Sequence, residues 1–367
     1  MAKKRIALLT GGGDAPGLNA VISTLTRACL NQTDYEIIGY KFGYRGLYEN
    51  NFIELTRATT SGILHRGGTI LYSSNKDNLF DYQVVEDGKT VKKDVSDVAV
   101  SNMKKENVEV LVVLGGDGTL TSARDFARKG VNVIGVPKTI DNDLGATSVT
   151  FGFDTAVNVV TESLGRIHTT AEAHQRVMIV EVMGRNSGWI SLFSGVAGSA
   201  DVILLPEFPY NLDRIAEKIK SRNEQGSPFT VIVIGEGARE EGKEVSVNEV
   251  VDDSPDPIRL GGIGAKLAHD LKPLVPNEVR SLALGHLQRG GETSPRDRVL
   301  SARYGNAAAQ AIIDKDFGKM VALEGDTMVR VSLEDVIGNN KYVEKNNELI
   351  TIAKRMGISF ANDILDK

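Results

Sequence analysis

Apolar runs of four to seven residues recur along the chain, each closed by turn-forming residues: Ile6–Leu9, Ile37–Tyr40, Val110–Leu114, Val131–Val136, Val177–Met183, Val202–Leu205, Thr230–Ile234 and Ser281–Leu284. Runs this short and this rich in Val, Ile and Leu predict strands covered on both faces, as in parallel sheets. Helical patterns fill the gaps. One covers Ala15–Leu30 with Pro16 near its first turn, one is capped by Thr119 and ends at Gly130, and one is capped by Asn211, carries Leu212, Ile215 and Ile219, and ends at Gly226. Strand, Gly-rich loop and helix in repetition predict an α/β fold with doubly wound, parallel-rich sheets. Such sheets bind ligands beyond the carboxyl ends of their strands. The Gly-bearing segments Gly11–Gly17, Gly115–Gly118, Gly184–Gly188, Gly235–Gly237 and Gly285–Gly291 fall there, whereas the polar stretch Glu240–Pro257 predicts a surface insertion.

At 367 residues the chain exceeds what one hydrophobic core usually organises, so two domains are expected. Glycine is the one compositional excess, with 38 residues and no collagen-like period, which implies many tight turns or close backbone approaches to ligand. The formal net charge of −5 gives no field attractive to nucleic acid or an anionic membrane, so an anionic ligand must be met by local arginines. A single cysteine, Cys29, excludes an internal disulfide. Met1–Leu9 is too short in apolar residues for a signal peptide, and no run reaches the ~18 of a membrane span. A cytoplasmic protein is expected.

Three loops carry the chemistry. In Leu8-Leu9-Thr10-Gly11-Gly12-Gly13-Asp14-Ala15-Pro16-Gly17 a strand runs through glycines into a helix, where unpaired amides attract phosphate. Pro16 occupies the third position of a dinucleotide fingerprint, and no Lys-Ser/Thr pair makes a Walker loop. Taken alone, this segment is equally well a ligand-free turn. In Val112-Val113-Leu114-Gly115-Gly116-Asp117-Gly118-Thr119 the glycines admit a polyphosphate and Asp117 can hold Mg2+. The same string occurs in NAD kinases and lipid kinases, so it points to a phosphoryl donor. In Pro137-Lys138-Thr139-Ile140-Asp141-Asn142-Asp143 two carboxylates, a hydroxyl and a cation fall within one short stretch. An Asx-turn and helix cap account for Asn142 and Asp143 but leave Lys138 and Asp141 without a role.

With Ala173-His174-Gln175-Arg176, Glu181-Val182-Met183-Gly184-Arg185, Glu236 and Leu284-Gly285-His286-Leu287-Gln288-Arg289-Gly290-Gly291, these loops resemble the 6-phosphofructokinase family, in order, from about residue 5 to about residue 320. The resemblance implies two domains, residues 1–152 plus about 288–338 for the donor and 153–287 plus about 339–367 for the sugar phosphate, with the site in the cleft between them. It implies transfer of the terminal phosphoryl group of ATP, with Mg2+, to the 1-hydroxyl of fructose 6-phosphate. Asp141 is then the general base, Asp143 supports it, Thr139 and Lys138 touch the transferring group, and Arg185 stabilises its oxygens. Gly12, Asn75, Lys76, Gly116, Asp117, Gly118 and Thr119 line the donor, with Asp117 on the metal. Arg176, Met183, Gly184, Glu236, Arg280, His286 and Arg289, with Thr139, Asp141 and Arg185, line the sugar phosphate. In that family Arg176 and Arg280 reach across from a neighbouring subunit, so a homo-oligomer, dimer or tetramer, is implied.

The donor signals are mixed. Members that use ATP carry Gly at position 118, where pyrophosphate users carry Asp; pyrophosphate users carry Lys at position 138, where common bacterial ATP enzymes carry Gly. Steric exclusion is harder to evade than one added cation, so the resemblance implies ATP, with a pyrophosphate-dependent 1-phosphotransferase as the alternative. Asn75 replaces a donor-contacting Arg of the common bacterial enzymes, and Lys76 can supply that charge. Ser23 and His168 stand where their effector pocket has Arg, although Arg27 remains, which implies weak control by ADP or phosphoenolpyruvate. Three further readings compete less well. An NAD kinase leaves Arg176, Arg185 and Arg289 unexplained, a non-catalytic sugar-phosphate-binding homologue is at odds with two intact carboxylates, and the acidic balance disfavours a nucleic-acid binder.

Overall fold

The computed structural model describes residues 3–86, 89–250 and 258–366. Its strands are β1 (Arg5–Thr10), β2 (Glu36–Tyr40), β3 (Phe52–Glu54), β4 (Tyr82–Glu86), β5 (Lys89–Lys93), β6 (Val108–Gly115), β7 (Val133–Pro137), β8 (Val177–Val182), β9 (Val202–Leu204), β10 (Thr230–Gly235), β11 (Val247–Val250), β12 (Ile258–Leu260), β13 (Val279–Ala283), β14 (Lys319–Glu324) and β15 (Thr327–Ser332). The helices are α1 (Leu18–Gln32), α2 (Tyr44–Glu49), α3 (Ser96–Lys105), α4 (Asp117–Arg128), α5 (Phe153–His174), α6 (Trp189–Ala197), α7 (Leu212–Glu224), α8 (Ile263–Leu271), α9 (Pro295–Ile313), α10 (Leu333–Val336), α11 (Glu348–Arg355) and α12 (Asp363–Asp366), with a 3-10 turn at Gly285–Arg289.

All eight apolar runs form strands, and they sort into two sheets. The larger has the order β15-β14-β7-β6-β1-β2-β3, parallel except for its two antiparallel edge strands. The smaller, β13-β8-β10-β9, is wholly parallel. Apolar side chains cover both faces of each: Ile6, Leu8 and Val112 pack on α1 and α9, while Ala7, Leu111 and Val113 pack on the side of α4. In the smaller sheet Val180 and Val233 pack towards α5 and α6, and Ile179 and Ile232 towards α7 and α8. This is the predicted α/β, doubly wound architecture.

The helix starts differ from the expectation in two places. The first helix begins at Leu18, because Gly17 adopts the left-handed conformation and Pro16 stays outside. Thr119 does not cap α4; Gly116 does, and Thr119 lies inside the first turn. Asn211 does cap α7, accepting from the Arg214 amide. Part of the Glu240–Pro257 stretch pairs as the β11–β12 ladder, and its residues 251–257 lie outside the described residues. Among the described residues no helix is long and apolar enough to cross a membrane.

Candidate active site

The loops that follow β1, β6 and β7 meet where the larger sheet changes direction, because β1 has β2 on one side and β6 on the other. Thr119 locks this junction. A Cβ on Gly115 would stand 2.3 Å from the Thr119 Cβ, and one on Gly11 would stand 2.6 Å from its Cγ2, so only glycine lets the two strand ends close around it. Gly12 takes a left-handed φ of 76°, and its amide donates to the Ser74 carbonyl at 3.0 Å. The Ser73–Lys76 segment, which carries Asn75 and Lys76, is thereby docked on the first glycine loop. Tyr44 adds a hydroxyl donated to the Thr119 carbonyl.

Asp117 opens α4, and its Oδ1 accepts from the Gly338 amide at 3.1 Å. A Cβ built on Gly118 meets nothing within 4 Å, so the space beside Asp117 is open. Lys138 is buried, at 4 % exposure, and its Nζ donates to the Gly13 carbonyl at 2.5 Å. Burial first, and then the neighbouring Arg289 guanidinium, push its ammonium down to about 8, against the opposing pull of Asp141, Asp14 and Asp143. Arg289 donates to the Asp14 carbonyl at 2.9 Å, tying the 3-10 turn after β13 to the loop after β1.

Asp141 sits where the two sheets face each other. Its amide donates to Thr139 Oγ1 at 3.1 Å, and its backbone carbonyl accepts from Ser187 Oγ at 3.0 Å. Its carboxylate Oδ1 is buried without a hydrogen-bond partner in the protein. Burial raises its pKa, while Arg289, Lys138 and Arg185 draw it down. Asp143 is raised as well, by burial and then by the charge of Asp141. Two neighbouring carboxylates beside three cations form a site whose charge balance is set within the protein.

The smaller sheet supplies the opposite wall. Arg185 has a left-handed φ of 52°, and its amide donates to Glu236 Oε1 at 3.1 Å. Glu236 is pushed up to about 7 by burial and by Asp141. Gly184 has φ 136°, and the Met183 amide donates to Gln288 Oε1 at 3.2 Å. His286 is exposed on the same 3-10 turn as Arg289. Thus Gly12, Lys138, Thr139, Asp141, Asp143, Met183, Gly184, Arg185, Glu236, His286 and Arg289 lie on strand-end loops that meet at one cleft.

Arg176 and Arg280 do not join them. Arg176 precedes β8 and Arg280 lies near the start of β13, at the opposite ends of those strands from Met183 and His286. Both guanidinium groups hold Glu278, Arg176 through Nε at 2.5 Å and Arg280 through Nη2. Six residues of β8 separate the two ends by roughly 20 Å.

Ser187, Gln288 and Lys341 build the site without having been singled out for roles. Gln288 lies inside the Leu284–Gly291 motif, and its complete burial is the reason it orients Met183 instead of touching solvent. Ser23 donates its hydroxyl to the Thr60 carbonyl, and the His168 ring pairs with the Gly198 carbonyl.

Together these features define an α/β protein of two parallel-rich sheets whose facing strand ends assemble glycine-rich loops, cations and paired carboxylates. The chain belongs to the phosphofructokinase family, whose model, described as Phosphofructokinase, matches residues 5–312. It is 64 % identical over 361 residues to "ATP-dependent 6-phosphofructokinase 2" of Clostridium perfringens, covering 98 % of this chain and 99 % of that one. It is 43 % identical over 339 residues to "Pyrophosphate--fructose 6-phosphate 1-phosphotransferase" of Amycolatopsis mediterranei, covering 92 % of this chain and 96 % of that one. The fold superposes on the T-state phosphofructokinase of Pichia pastoris with a TM-score of 0.76 at 27 % identity, over all of this chain and 38 % of the longer yeast chain.

Proposed function

We propose that the protein is an ATP-dependent 6-phosphofructokinase, forming fructose 1,6-bisphosphate from fructose 6-phosphate. The observation that carries the reaction is the buried, unpartnered Oδ1 of Asp141. An orphaned carboxylate oxygen is costly, and a substrate hydroxyl satisfies it as donor. In the reaction the 1-hydroxyl proton passes to this carboxylate while the sugar oxygen bonds to the terminal phosphorus and the bridging oxygen departs with ADP. A sugar alcohol is a far weaker acid than a carboxylic acid, so the proton moves only as the new bond forms, and positioning with charge neutralisation does most of the catalysis.

Lys138 and Arg185 face the transferring group, with Thr139 donating a hydroxyl beside it. Arg289 and His286 hold the sugar phosphate, and Glu236, Met183 and Gly184 the sugar. Gly12, Gly116, Thr119, Asn75 and Lys76 line the donor. Asp117 fits Mg2+, which takes one carboxylate together with donor phosphates and water, and the ion supplies neutralisation of phosphate charge. The larger sheet with residues 1–152 and about 288–338 forms the donor domain, and the remainder the sugar-phosphate domain. Arg176 and Arg280 serve a neighbouring subunit's site, which makes the competent enzyme a homo-oligomer. With Ser23 and His168 standing in place of arginines, control by ADP or phosphoenolpyruvate is weak or absent. The enzyme works in the cytoplasm.

Two observations support ATP: open space at Gly118 and the 64 % identical ATP-dependent relative. Lys138 and the 43 % identical pyrophosphate enzyme support pyrophosphate as the second reading. The test is product formation by the pure protein from fructose 6-phosphate and Mg2+, with each donor in parallel. Activity with ATP alone supports the first reading, activity with pyrophosphate alone replaces it with the second, and none with either sinks both.

A further inference from the structure

Lys341 lies between α10 and α11, outside every motif, yet most of its polar atoms reach the catalytic loop. Its amide donates to the Asp143 carbonyl at 2.7 Å, and its carbonyl accepts from Trp189 Nε1 at 2.9 Å. Its ammonium donates to the carbonyls of Ser148 at 2.8 Å and Thr147 at 3.1 Å and to Asn142 Oδ1 at 3.2 Å. An ammonium has three donors, and here three acceptors take them. The charge also lies 5.6 Å from the centroid of the Trp189 ring. On either side, Asn340 bridges Leu144, and the Val343 amide donates to the Glu207 oxygen that also accepts from Gly188. Residues 340–343 therefore stitch the 142–148 loop to residues 188–189 and 207, on the smaller sheet's side of the cleft.

What the ammonium holds matters more than how well it is held. Asn142 stands between the two carboxylates in a left-handed conformation, φ 53°, which asparagine tolerates better than most residues that carry a side chain. Its Oδ1 ties it to its surroundings, since it accepts both the Thr150 amide at 3.1 Å and the Lys341 ammonium. Turning the peptide at Asn142 re-aims Asp141 and Asp143 together. A charge is also a poor choice for simple filling, because burial disfavours it and an apolar chain of the same length would pack more cheaply. Burial indeed pulls this ammonium down to about 8, against the charge of Asp143.

We propose that Lys341 is a positioning residue of the phosphoryl-transfer site, clamping Asn142 so that Asp141 and Asp143 stand correctly towards the sugar hydroxyl. This rests on Asp141 being the base. A misplacement of about 1 Å at reacting groups costs on the order of 100-fold in rate without requiring weaker binding.

The test uses the full-length protein with Lys341→Met, Lys341→Arg, Asn142→Gly and the Lys341→Met/Asn142→Gly double variant, with thermal melts to confirm folding. Glycine removes the Asn142 acceptor while tolerating its backbone angle. Lys341→Met should lower kcat about 10- to 100-fold, with KM for fructose 6-phosphate and ATP changing by less than about threefold. Lys341→Arg should recover part of that kcat. The double variant should be no slower than the slower single variant by more than about twofold, because both changes remove the same Lys341–Asn142 contact. A kcat for Lys341→Met within about twofold of wild type, losses that multiply in the double variant, or a change confined to KM would each overturn the proposal. If Lys341→Met does not fold, Lys341→Arg and Asn142→Gly decide, and normal kcat in both overturns it. Asp141→Asn is assayed alongside: wild-type turnover there removes the base itself, whatever the Lys341 variants do.

Discussion

Lys138 is a cation held where burial disfavours its charge. Buried and pressed by Arg289, its ammonium titrates near 8, faced also by Asp14, Asp141 and Asp143. Its folded value lies below that of a free lysine, so the charge is present below pH 8 and lost as pH rises through that value. kcat/KM, which reports the free enzyme, should therefore fall along an alkaline limb centred near pH 8. In Lys138→Met the rate should be lower and the limb should lose the share of Lys138, leaving only what Lys341, brought by burial to the same range, contributes. An unchanged limb would clear Lys138 and point to Lys341. Gly118 makes a steric statement instead. Because its side-chain position is empty, Gly118→Asp should fold normally and bring a carboxylate up to the donor phosphates. KM for ATP should rise at least about tenfold by like-charge repulsion, with KM for fructose 6-phosphate unchanged and pyrophosphate use less affected. Equal losses with both donors would show that the added charge is not felt where a nucleotide differs from pyrophosphate. Asp141, Lys138 and Asp117 were legible from sequence because each sits in a short string whose chemistry is local. Ser187 and Lys341 were not, since a serine on the far wall and a lysine 200 residues downstream acquire meaning only when folding brings them to the Asp141–Asp143 loop.

At the scale of elements, most strands covered on both faces were legible, because an unbroken apolar run records that burial, although β14, buried over Met320–Leu323, was missed. β3, β14 and β15 escaped, together with the ladders β4–β5 and β11–β12. β15 reads Thr-Met-Val-Arg-Val-Ser because it is an edge strand, half-exposed along its length after its exposed first residue, and periodicity weakens where one side is solvated. Helix contacts left still less trace. α1 and α9 pack closely under the larger sheet, and Gly305 is what permits it: a Cβ there would stand 2.9 Å from the Val21 carbonyl oxygen and 3.1 Å from the Leu25 amide nitrogen. Gly305→Ala must force two helices apart, at a cost of about 1–3 kcal/mol. A calorimetric or circular-dichroism melt should show a transition several degrees lower, with KM for both substrates unchanged at 25 °C. An unaltered melting temperature would mean that the α1–α9 contact is soft. α9 also carries Asp297, which accepts from the amide and hydroxyl of Thr155 at the start of α5, so this packing reaches the joint between the two sheets.

For the whole molecule, the decisive fact is that two arginines assigned to the sugar phosphate stand at the wrong end of their own sheet. Arg176 and Arg280 share Glu278, whose carboxyl they hold below the usual range. Among the described residues of one chain, no contact brings them to Arg289 or Glu236. A neighbouring copy arranged about a two-fold axis can supply them, and each site then takes its carboxylates from one subunit and these arginines from the other. That arrangement makes a prediction no single-chain site can meet. Asp141→Asn and Arg280→Ala should each abolish most activity alone. When the two inactive proteins are unfolded together and refolded, or co-expressed with different tags, half of the dimers are hybrids. In each hybrid one site carries both substitutions, while the other combines an intact Asp141 with an intact Arg280. Activity should return to about a quarter of wild type, the fraction of sites left unaltered by random pairing. A tetramer built from such pairs gives the same fraction, so the test does not depend on the final assembly size. Recovery absent from hybrids isolated by their two tags would place Arg280 at the site of its own chain and require the strand ends to be brought together by a movement within one subunit.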